Sequence, residues 1–192
     1  MTTTPPTQRQ AIAWLAITAI IVTTMVLLHA EGRSWICSCG YIWFWASTVC
    51  SEHNSQHFLD PYSFTHVLHG FLYLWLLMLI APRLAPLWKF WATLTLACAW
   101  EVFENSNFVI DRYRTETAAL GYHGDTVVNS LGDICCCALG FLIAWKMGLR
   151  RSIIVFAVIE LGLLLTIRDS LVLEILMLVH PSPTLKAWQM CR

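Results

Sequence analysis

Five apolar segments, separated by polar connections, dominate the hydrophobic pattern of this 192-residue chain. They cover residues 11–28, 63–80, 88–104, 125–145 and 152–167. The first four are about long enough to cross a hydrocarbon layer roughly 30 Å thick as α-helices, and the fifth is marginal in length. The pattern predicts an all-α membrane protein, a single domain over residues 1–192 built as a bundle of about five transmembrane helices.

The first apolar segment has an alternative interpretation, a cleaved signal peptide. The segment is long for the apolar part of a signal peptide, and no small-x-small cleavage site follows Leu28, so an uncleaved helix is favoured. The last apolar stretch, residues 171–179, either continues the fifth span or forms a short interfacial helix.

Two long polar connections follow the first and third spans. Residues 31–62 contain three cysteines and the aromatic run 41–45, which is too short to span and is expected at the headgroup level, for example as an interfacial helix. Residues 105–124 carry Asp111-Arg112-Tyr113-Arg114.

Positive charge in the connections predicts the orientation of the chain. With a cytoplasmic N-terminus, the cytoplasmic side holds Arg9, Arg83, Lys89, Lys146, Arg150 and Arg151. The three arginines of the opposite side are offset by acidic residues in the same connections. The bias predicts a multi-pass protein of a bacterial inner membrane, with the aromatic and Cys-containing connection between spans one and two in the periplasm.

Composition supports a membrane protein and argues against a nucleic-acid partner. Hydrophobic residues make up 57 % and charged residues 12 % of the chain, the latter about half the ~25 % usual for soluble domains. The formal net charge is zero. The lipid bilayer is therefore the expected partner, with a small-molecule or lipid ligand as a further hypothesis, and no oligomeric state is predicted.

On this topology the polar residues at membrane depth gather in the outer leaflet. They are His66, His69, Glu101, Glu104, Asp125, Asn129, Asp133, Arg168 and Asp169. The inner leaflet has Glu160 alone. A charged side chain at the bilayer centre costs about 2.5–3.5 kcal/mol on insertion scales. Protons, arginines, histidinium or a metal ion must offset this cost, and each implies a different function.

Candidate roles follow from residue type and spacing. We assign metal binding to His66, His69 and Asp125, catalysis to Glu101, Glu104 and Asp133, and substrate binding to Arg112, Arg114, Asn129 and Arg168. Histidines three residues apart, with carboxylates nearby, suit zinc, iron or manganese. The di-iron bundle pattern differs, because it uses Glu-x-x-His on paired helices. A divalent metal ion is thus the cofactor hypothesis.

Simpler interpretations remain open for the same residues. The cluster can be a hydrogen-bonded network that ties helix ends together. Asp125 alone is typical of a helix N-cap, and Arg112 and Arg114 are typical of a solvated loop. Small residues at 132, 136, 140 and 144 predict close approach of another helix to the fourth span.

The cysteines and loop histidines receive structural interpretations. The chain lacks paired Cys-x-x-Cys knuckles, which argues against a structural zinc site. In an oxidising periplasm Cys50 is expected to pair with Cys37 or Cys39. His53 and His57 are interpreted as surface residues. The cysteines in apolar runs, at 98 and 135–137, are interpreted as packing residues.

Several motifs together resemble a known but uncharacterised family. They are Asp60-Pro61-Tyr62-Ser63-Phe64-Thr65-His66-x-x-His69-Gly70, Trp100-Glu101-Val102-Phe103-Glu104-Asn105-Ser106, Asp111-Arg112-Tyr113-Arg114 and Gly124-Asp125-Thr126-x-x-Asn129-Ser130-x-Gly132-Asp133. The resemblance is to an alphaproteobacterial inner-membrane family and implies a multi-pass membrane protein with no assigned activity. A looser resemblance to VanZ-like membrane proteins rests on similarly placed Asp, His and Glu residues.

Three functions are consistent with these observations. The leading hypothesis is a metal-dependent enzyme that acts on a lipid-borne or small polar substrate from the periplasmic side. The second is a proton- or ion-coupled binding or transport protein, although the nearly apolar inner leaflet shows no continuous path. The third is a structural accessory subunit.

Overall fold

The structure is a computed structural model that describes residues 6–119 and 121–190. Eight α-helices occur in these ranges: α1 (Pro6–Ala30), α2 (Ser63–Ile80), α3 (Pro86–Glu104), α4 (Asn107–Glu116), α5 (Val127–Met147), α6 (Leu149–Ile167), α7 (Leu171–Val179) and α8 (Pro183–Gln189). The same ranges contain one isolated β-bridge, between Trp45 and Leu59, and no named strand. The prediction of an all-α protein is confirmed.

Among the helices that the structure describes, three are long and apolar enough to cross a membrane. They comprise Gln10–Ala30, Ser63–Ile80 and Val127–Met147. The other two long helices, α3 and α6, have 19 residues each. Each of these two contains three charged residues, for example Glu101 and Glu104 near the end of α3 and Glu160 within α6.

Local capping signals explain where several helices begin. Thr126 caps α5, and its side chain accepts a hydrogen bond from the Asn129 N–H. The interpretation of Asp125 as the cap is therefore wrong, because the residue that follows it performs this role. Ser170 caps α7 in the same way through the N–H of Leu173. The backbone of Arg168 is left-handed, with φ of 57°, so α7 is a separate helix rather than a continuation of α6.

Helix α4 lies within a segment that the hydrophobic pattern assigned to a polar connection. Ser106 caps it by accepting a hydrogen bond from the Val109 N–H. Val109, Ile110 and Tyr113 form its buried face at helical spacing. The helix has ten residues and few apolar positions, so the hydrophobic pattern does not identify it as a membrane span.

The closest helix pair is α2 with α5. A Cβ atom added at Gly70 would collide with the carbonyl oxygen of Cys137, and one added at Gly140 would collide with the carbonyl oxygen of Val67. Phe71 and Phe141 pack in the same apolar core. The predicted close approach at Gly140 is confirmed, because the backbones of the two helices touch where neither residue has a side chain.

The long connection between α1 and α2 folds back over the start of α5. Phe58 N–H donates to the Trp43 carbonyl at 3.1 Å, and the aromatic run 41–45 is extended. It does not form the interfacial helix that the sequence suggested. The Asn129 side-chain amide donates to the His57 carbonyl at 2.8 Å. A Cβ atom at Gly132 would collide with the Phe58 carbonyl. The connection is thus packed directly on the helix that carries Asp133.

Candidate functional site

A cavity of about 740 Å³ lies where α2, α4, α5 and α7 approach the long connection. Its lining includes seven carboxylate residues, Glu52, Asp60, Glu104, Asp125, Asp133, Asp169 and Glu174, together with His66 and the tyrosines at 62, 113 and 122. No lysine or arginine lines it among the residues that the structure describes. The cavity is therefore rich in carboxyl groups. This agrees with the prediction that polar residues gather in one region of the protein.

His66 lies between carboxylates that come from two other helices. Its Nδ1 is 3.2 Å from Glu101 Oε1 on α3, and its Nε2 is 3.9 Å from Asp133 Oδ2 on α5. All three residues are buried, and Glu101 has no exposed surface. The helices α2, α3 and α5 thus meet at one imidazole ring.

Several carboxylate oxygens next to His66 are buried without a hydrogen-bond partner in the described residues. They are both oxygens of Glu101, Oε2 of Glu104 and Oδ1 of Asp133. The other oxygen of Glu104 accepts a hydrogen bond from the Tyr113 hydroxyl at 3.0 Å. Buried polar atoms normally have partners, so such a group of orphans requires an explanation.

A metal ion fits this geometry. Ligand atoms of His66, Glu101 and Glu104 lie within 4.8 Å of one another. One imidazole and two carboxylates are ligands typical of zinc, manganese or iron sites that retain an open position. A cation would also be the positively charged partner that these carboxylate oxygens lack.

Two residues assigned to metal binding have other contacts. His69 stacks on Tyr73 with 5.6 Å between ring centroids, and it meets the Trp100 ring edge-on at 5.3 Å. Asp125 accepts hydrogen bonds from the Asn105 amide at 2.8 Å and the Tyr122 hydroxyl at 3.0 Å. Neither residue belongs to the group of ligand atoms around His66.

The residues assigned to substrate binding do not come together in the cavity. The three arginines donate to backbone carbonyls elsewhere: Arg112 to Leu178, Arg114 to Tyr122 and Arg168 to Trp188. Asn129 is buried and holds the His57 carbonyl and, at 3.4 Å, Asp60 Oδ2. The arginines therefore tie the connections and the C-terminal helices together in this structure.

Several acidic or phenolic groups of the cavity were not among the predicted site residues, including Asp60, Glu174 and Tyr122. The carboxylate of Asp60 is buried and accepts backbone N–H bonds from Ser55 and Tyr62 at 2.9 and 2.8 Å. Glu174 stands in an apolar stretch, and a lone acid there was an available signal. Tyr122 had no local signal, because its role depends on its contact with Asp125.

Two buried carboxyl groups outside the membrane spans, those of Asp125 and Asp169, have raised pKa values. Burial raises the pKa of Asp125 to about 6, although hydrogen bonds from Asn105 and Tyr122 oppose the shift. Burial likewise raises the pKa of Asp169 to about 6. Both groups can thus change protonation near physiological pH.

The raised pKa of Asp125 predicts that stability falls as pH rises. An unfolded aspartate has a pKa near 3.9, so the folded state binds this proton more tightly. The resulting stabilisation is complete below about pH 4 and is lost as pH rises through about 6, an effect on the order of 3 kcal/mol. Thermal unfolding in detergent between pH 4 and pH 8 measures it. Asp125→Asn should flatten the profile, whereas the exposed control Asp111→Asn should not, and equal profiles would contradict the assignment.

The fold and the cavity together define a class: an all-helical, membrane-associated protein with an acidic site around the buried His66. The chain belongs to the family described as "protein of unknown function (DUF2585)", which matches residues 28–191. This range includes the whole cavity and the cysteine-containing connection.

Relatives of similar length support the family assignment. A "UPF0314 protein" of Sphingopyxis alaskensis is 42 % identical over 180 residues, covering 92 % of this chain and 94 % of the relative. One of Brucella anthropi is 40 % identical over 186 residues, covering 96 % and 94 %. Another, of Rhizobium meliloti, is 40 % identical over 183 residues. No solved structure matches. The resemblance to an uncharacterised alphaproteobacterial family is confirmed, and these matches do not show the one to VanZ-like proteins.

Proposed function

We propose that this protein is a multi-pass inner-membrane enzyme that uses a divalent metal ion held by His66, Glu101 and Glu104. In this proposal α1, α2, α3, α5 and α6 span the membrane, the N-terminus is cytoplasmic, and the cavity opens toward the periplasm. The distribution of positive charge in the connections supports the orientation.

The observation that carries the proposal is the group of orphaned carboxylate oxygens around His66. Burying carboxylates without partners costs several kcal/mol per ion, and packing alone does not recover that cost. A structural network would satisfy its members with donors, as Asn105 does for Asp125. Around His66 the four carboxylate oxygens stay unpaired although the Ser130 hydroxyl and the Trp100 ring N–H lie nearby, and this is the arrangement that a cation completes.

The proposed chemistry assigns separate roles to the cavity residues. A bound divalent ion acts as a Lewis acid and lowers the pKa of a coordinated water. Asp133 faces His66 from the opposite side and has a free Oδ1, so it is placed to accept a proton from a substrate or water. Tyr113 fixes Glu104 by its hydrogen bond.

The cavity also indicates what kind of substrate fits. Its volume of about 740 Å³ is sufficient for a small molecule or a lipid headgroup. An acidic lining without described lysine or arginine repels anions, so a neutral or cationic polar group is favoured over a phosphate. The substrate-binding role assigned from the sequence to Arg112 and Arg114 is not part of this proposal.

Metal analysis of the purified protein tests the proposal. Detergent-purified protein, kept oxidised throughout, is stripped with a chelator, reloaded with Mn²⁺ or Zn²⁺ and analysed for bound metal. We expect about one ion per chain, weakened by at least about tenfold in His66→Gln. The exposed histidine variant His180→Gln is the matched control and should bind as the wild type does. Equal metal content in the two variants, or none in the wild type, would overturn the proposal.

A proton-coupled binding or transport protein is the second candidate. The observation in its favour is that seven carboxylate residues line one cavity, with pKa values near 6 for Asp125 and Asp169. Protons can then replace the metal ion as the compensating charge. Metal-free protein that moves protons in vesicles, with flux abolished in Asp133→Asn, would favour this candidate over the enzyme.

A further inference from the structure

A second group of metal-ligand side chains lies in the long connection, apart from the cavity histidine. Ligand atoms of Cys37, Cys39, His53 and His57 lie within 4.8 Å of one another. Cys37 is bonded to Cys39, and Cys50 is also disulfide-bonded, so the expectation that Cys50 pairs with one of the other two is wrong. His57 has no exposed surface, which contradicts its interpretation as a surface residue.

We propose that these four residues form a zinc site that becomes available when the Cys37–Cys39 bond is reduced. Two thiolates and two imidazoles are the Cys₂His₂ set of tetrahedral structural zinc sites. The sequence argued against zinc because it lacks paired Cys-x-x-Cys motifs. Here the ligands come instead as Cys-x-Cys and His-x-x-x-His, brought together by the fold of the connection.

The distances are close to those of a tetrahedral site. Cys37 Sγ is 3.8 Å from His53 Nδ1, and His53 Nδ1 is 3.0 Å from His57 Nε2. With zinc–sulfur bonds of about 2.3 Å and zinc–nitrogen bonds of about 2.0 Å, tetrahedral ligand atoms are roughly 3.3–3.8 Å apart. To reach tetrahedral zinc geometry, the two histidines need only small side-chain movements. The two sulfur atoms must first move apart, because they are bonded to each other in the oxidised protein.

The surrounding connection holds these ligands in place. The Cys39 N–H donates to Cys37 Sγ at 3.2 Å, a contact that stabilises a thiolate. The Trp43 ring stacks on His57 with 4.6 Å between ring centroids and contacts His53 in a tilted arrangement at 4.8 Å. The His57 carbonyl is fixed to α5 by Asn129. A site held in advance loses little conformational entropy when it binds an ion.

The two histidines are expected to contribute unequally. The Trp43 N–H donates to His57 Nδ1 at 3.1 Å, so the proton of a neutral His57 ring is on Nε2. Binding zinc through Nε2 requires that proton to move to Nδ1, which breaks the bond from Trp43. His53 Nδ1 has no such backbone donor in the described contacts. Loss of His53 should therefore weaken zinc binding more than loss of His57.

The redox step is an ordinary thiol–disulfide exchange. A dithiol reductant breaks the Cys37–Cys39 bond, supplies two electrons and two protons to the sulfurs, and becomes a disulfide itself. Zinc then displaces the two thiol protons as the thiolates bind. Oxidation would reverse the sequence and release the ion, so the site couples metal binding in the connection to the thiol state of its compartment.

Zinc titration in a His66→Gln background tests the proposal without interference from the cavity. Protein reduced with a phosphine is compared with the oxidised protein by calorimetry, and Co²⁺ is added separately as an optical probe. We expect one zinc ion per reduced chain, at least about 100-fold weaker binding when oxidised, and thiolate-to-cobalt absorption only in the reduced sample. Equal affinity in the two states, or no binding in the reduced state, would overturn the proposal.

Variants of the reduced protein assign the ligands. Cys39→Ser and His53→Gln should each abolish stoichiometric binding, and His57→Gln should reduce it less. Cys98→Ser, in a buried apolar position outside the connection, and Cys50→Ser are the matched controls and should bind normally. Binding that survives both Cys39→Ser and His53→Gln would overturn the site. Because the background lacks His66, failure here leaves the cavity proposal to its own test.

Discussion

Replacing Glu101 with glutamine is expected to stabilise the metal-free protein while it abolishes metal binding in the cavity. Glu101 has no exposed surface, and neither of its oxygens has a hydrogen-bond partner in the described residues. Nearby Glu104 and Asp133 also repel its charge, and His66 is its one described ionic contact, at 3.2 Å. Because burial beside Glu104 and Asp133 opposes the charged form of Glu101, an uncharged isostere removes that cost, with a gain of about 1–3 kcal/mol.

Unfolding in detergent with a chelator present measures this gain, and unfolding with Mn²⁺ or Zn²⁺ measures the loss of metal-dependent stabilisation. Wild-type protein should be stabilised by about 2.7 kcal/mol at a free metal concentration 100 times the Kd, and Glu101→Gln should not respond. Asp111→Asn changes an exposed carboxylate that does not line the cavity and should alter neither quantity. If Glu101→Gln instead lowers stability in chelator and still binds metal, the cluster ties the helices together and is not a metal site.

Replacing Gly140 with alanine is expected to destabilise the protein, whereas the same change at Gly162 should stabilise it slightly. A Cβ atom at Gly140 would collide with the Val67 backbone, and neither backbone can yield without moving α2 away from α5. Overpacking of this kind costs typically about 1–3 kcal/mol. At Gly162 on α6, an added Cβ meets nothing within 4 Å, so the better helix propensity of alanine, up to about 1 kcal/mol, is the main effect.

The opposite signs of these two changes make the comparison informative. Both are measured as shifts in Tm in the same detergent, so general effects on helix propensity cancel. Val67 adjoins His66 in the chain, so displacement of α2 in Gly140→Ala should also weaken metal binding, whereas Gly162→Ala should not. Equal shifts in the two variants would show that α2 and α5 do not pack through Gly140.

The sequence predicted features that depend on local composition and short-range spacing. Apolar length placed the long helices to within a few residues, because a helix needs a continuous run of apolar residues to lie in lipid. The spacing of small residues predicted the close approach at Gly140. The gathering of acids and histidines was also predictable, since it requires only the alternating direction of successive helices.

Particular contacts were not predictable in this way. The spacing of Glu101 and Glu104 places them on one face of α3, so a contact with a histidine of α2 could be expected. Only the packing of the helices determined that His66, and not His69, lies between the carboxylates. Arg112 and Arg114 donate to backbone carbonyls, one near the end of α7 and one in the connection before α5, a result that no charge pattern contains.

The sequence alone thus determined that this is a helical, membrane-associated chain with its polar residues in one region, because those properties follow from hydrophobicity and helical period. The tertiary structure alone decided which carboxylates stay without partners and that Cys37, Cys39, His53 and His57 converge. These outcomes depend on long-range packing, since a connection that lacks helical periodicity takes its shape from contacts such as the one between Asn129 and His57.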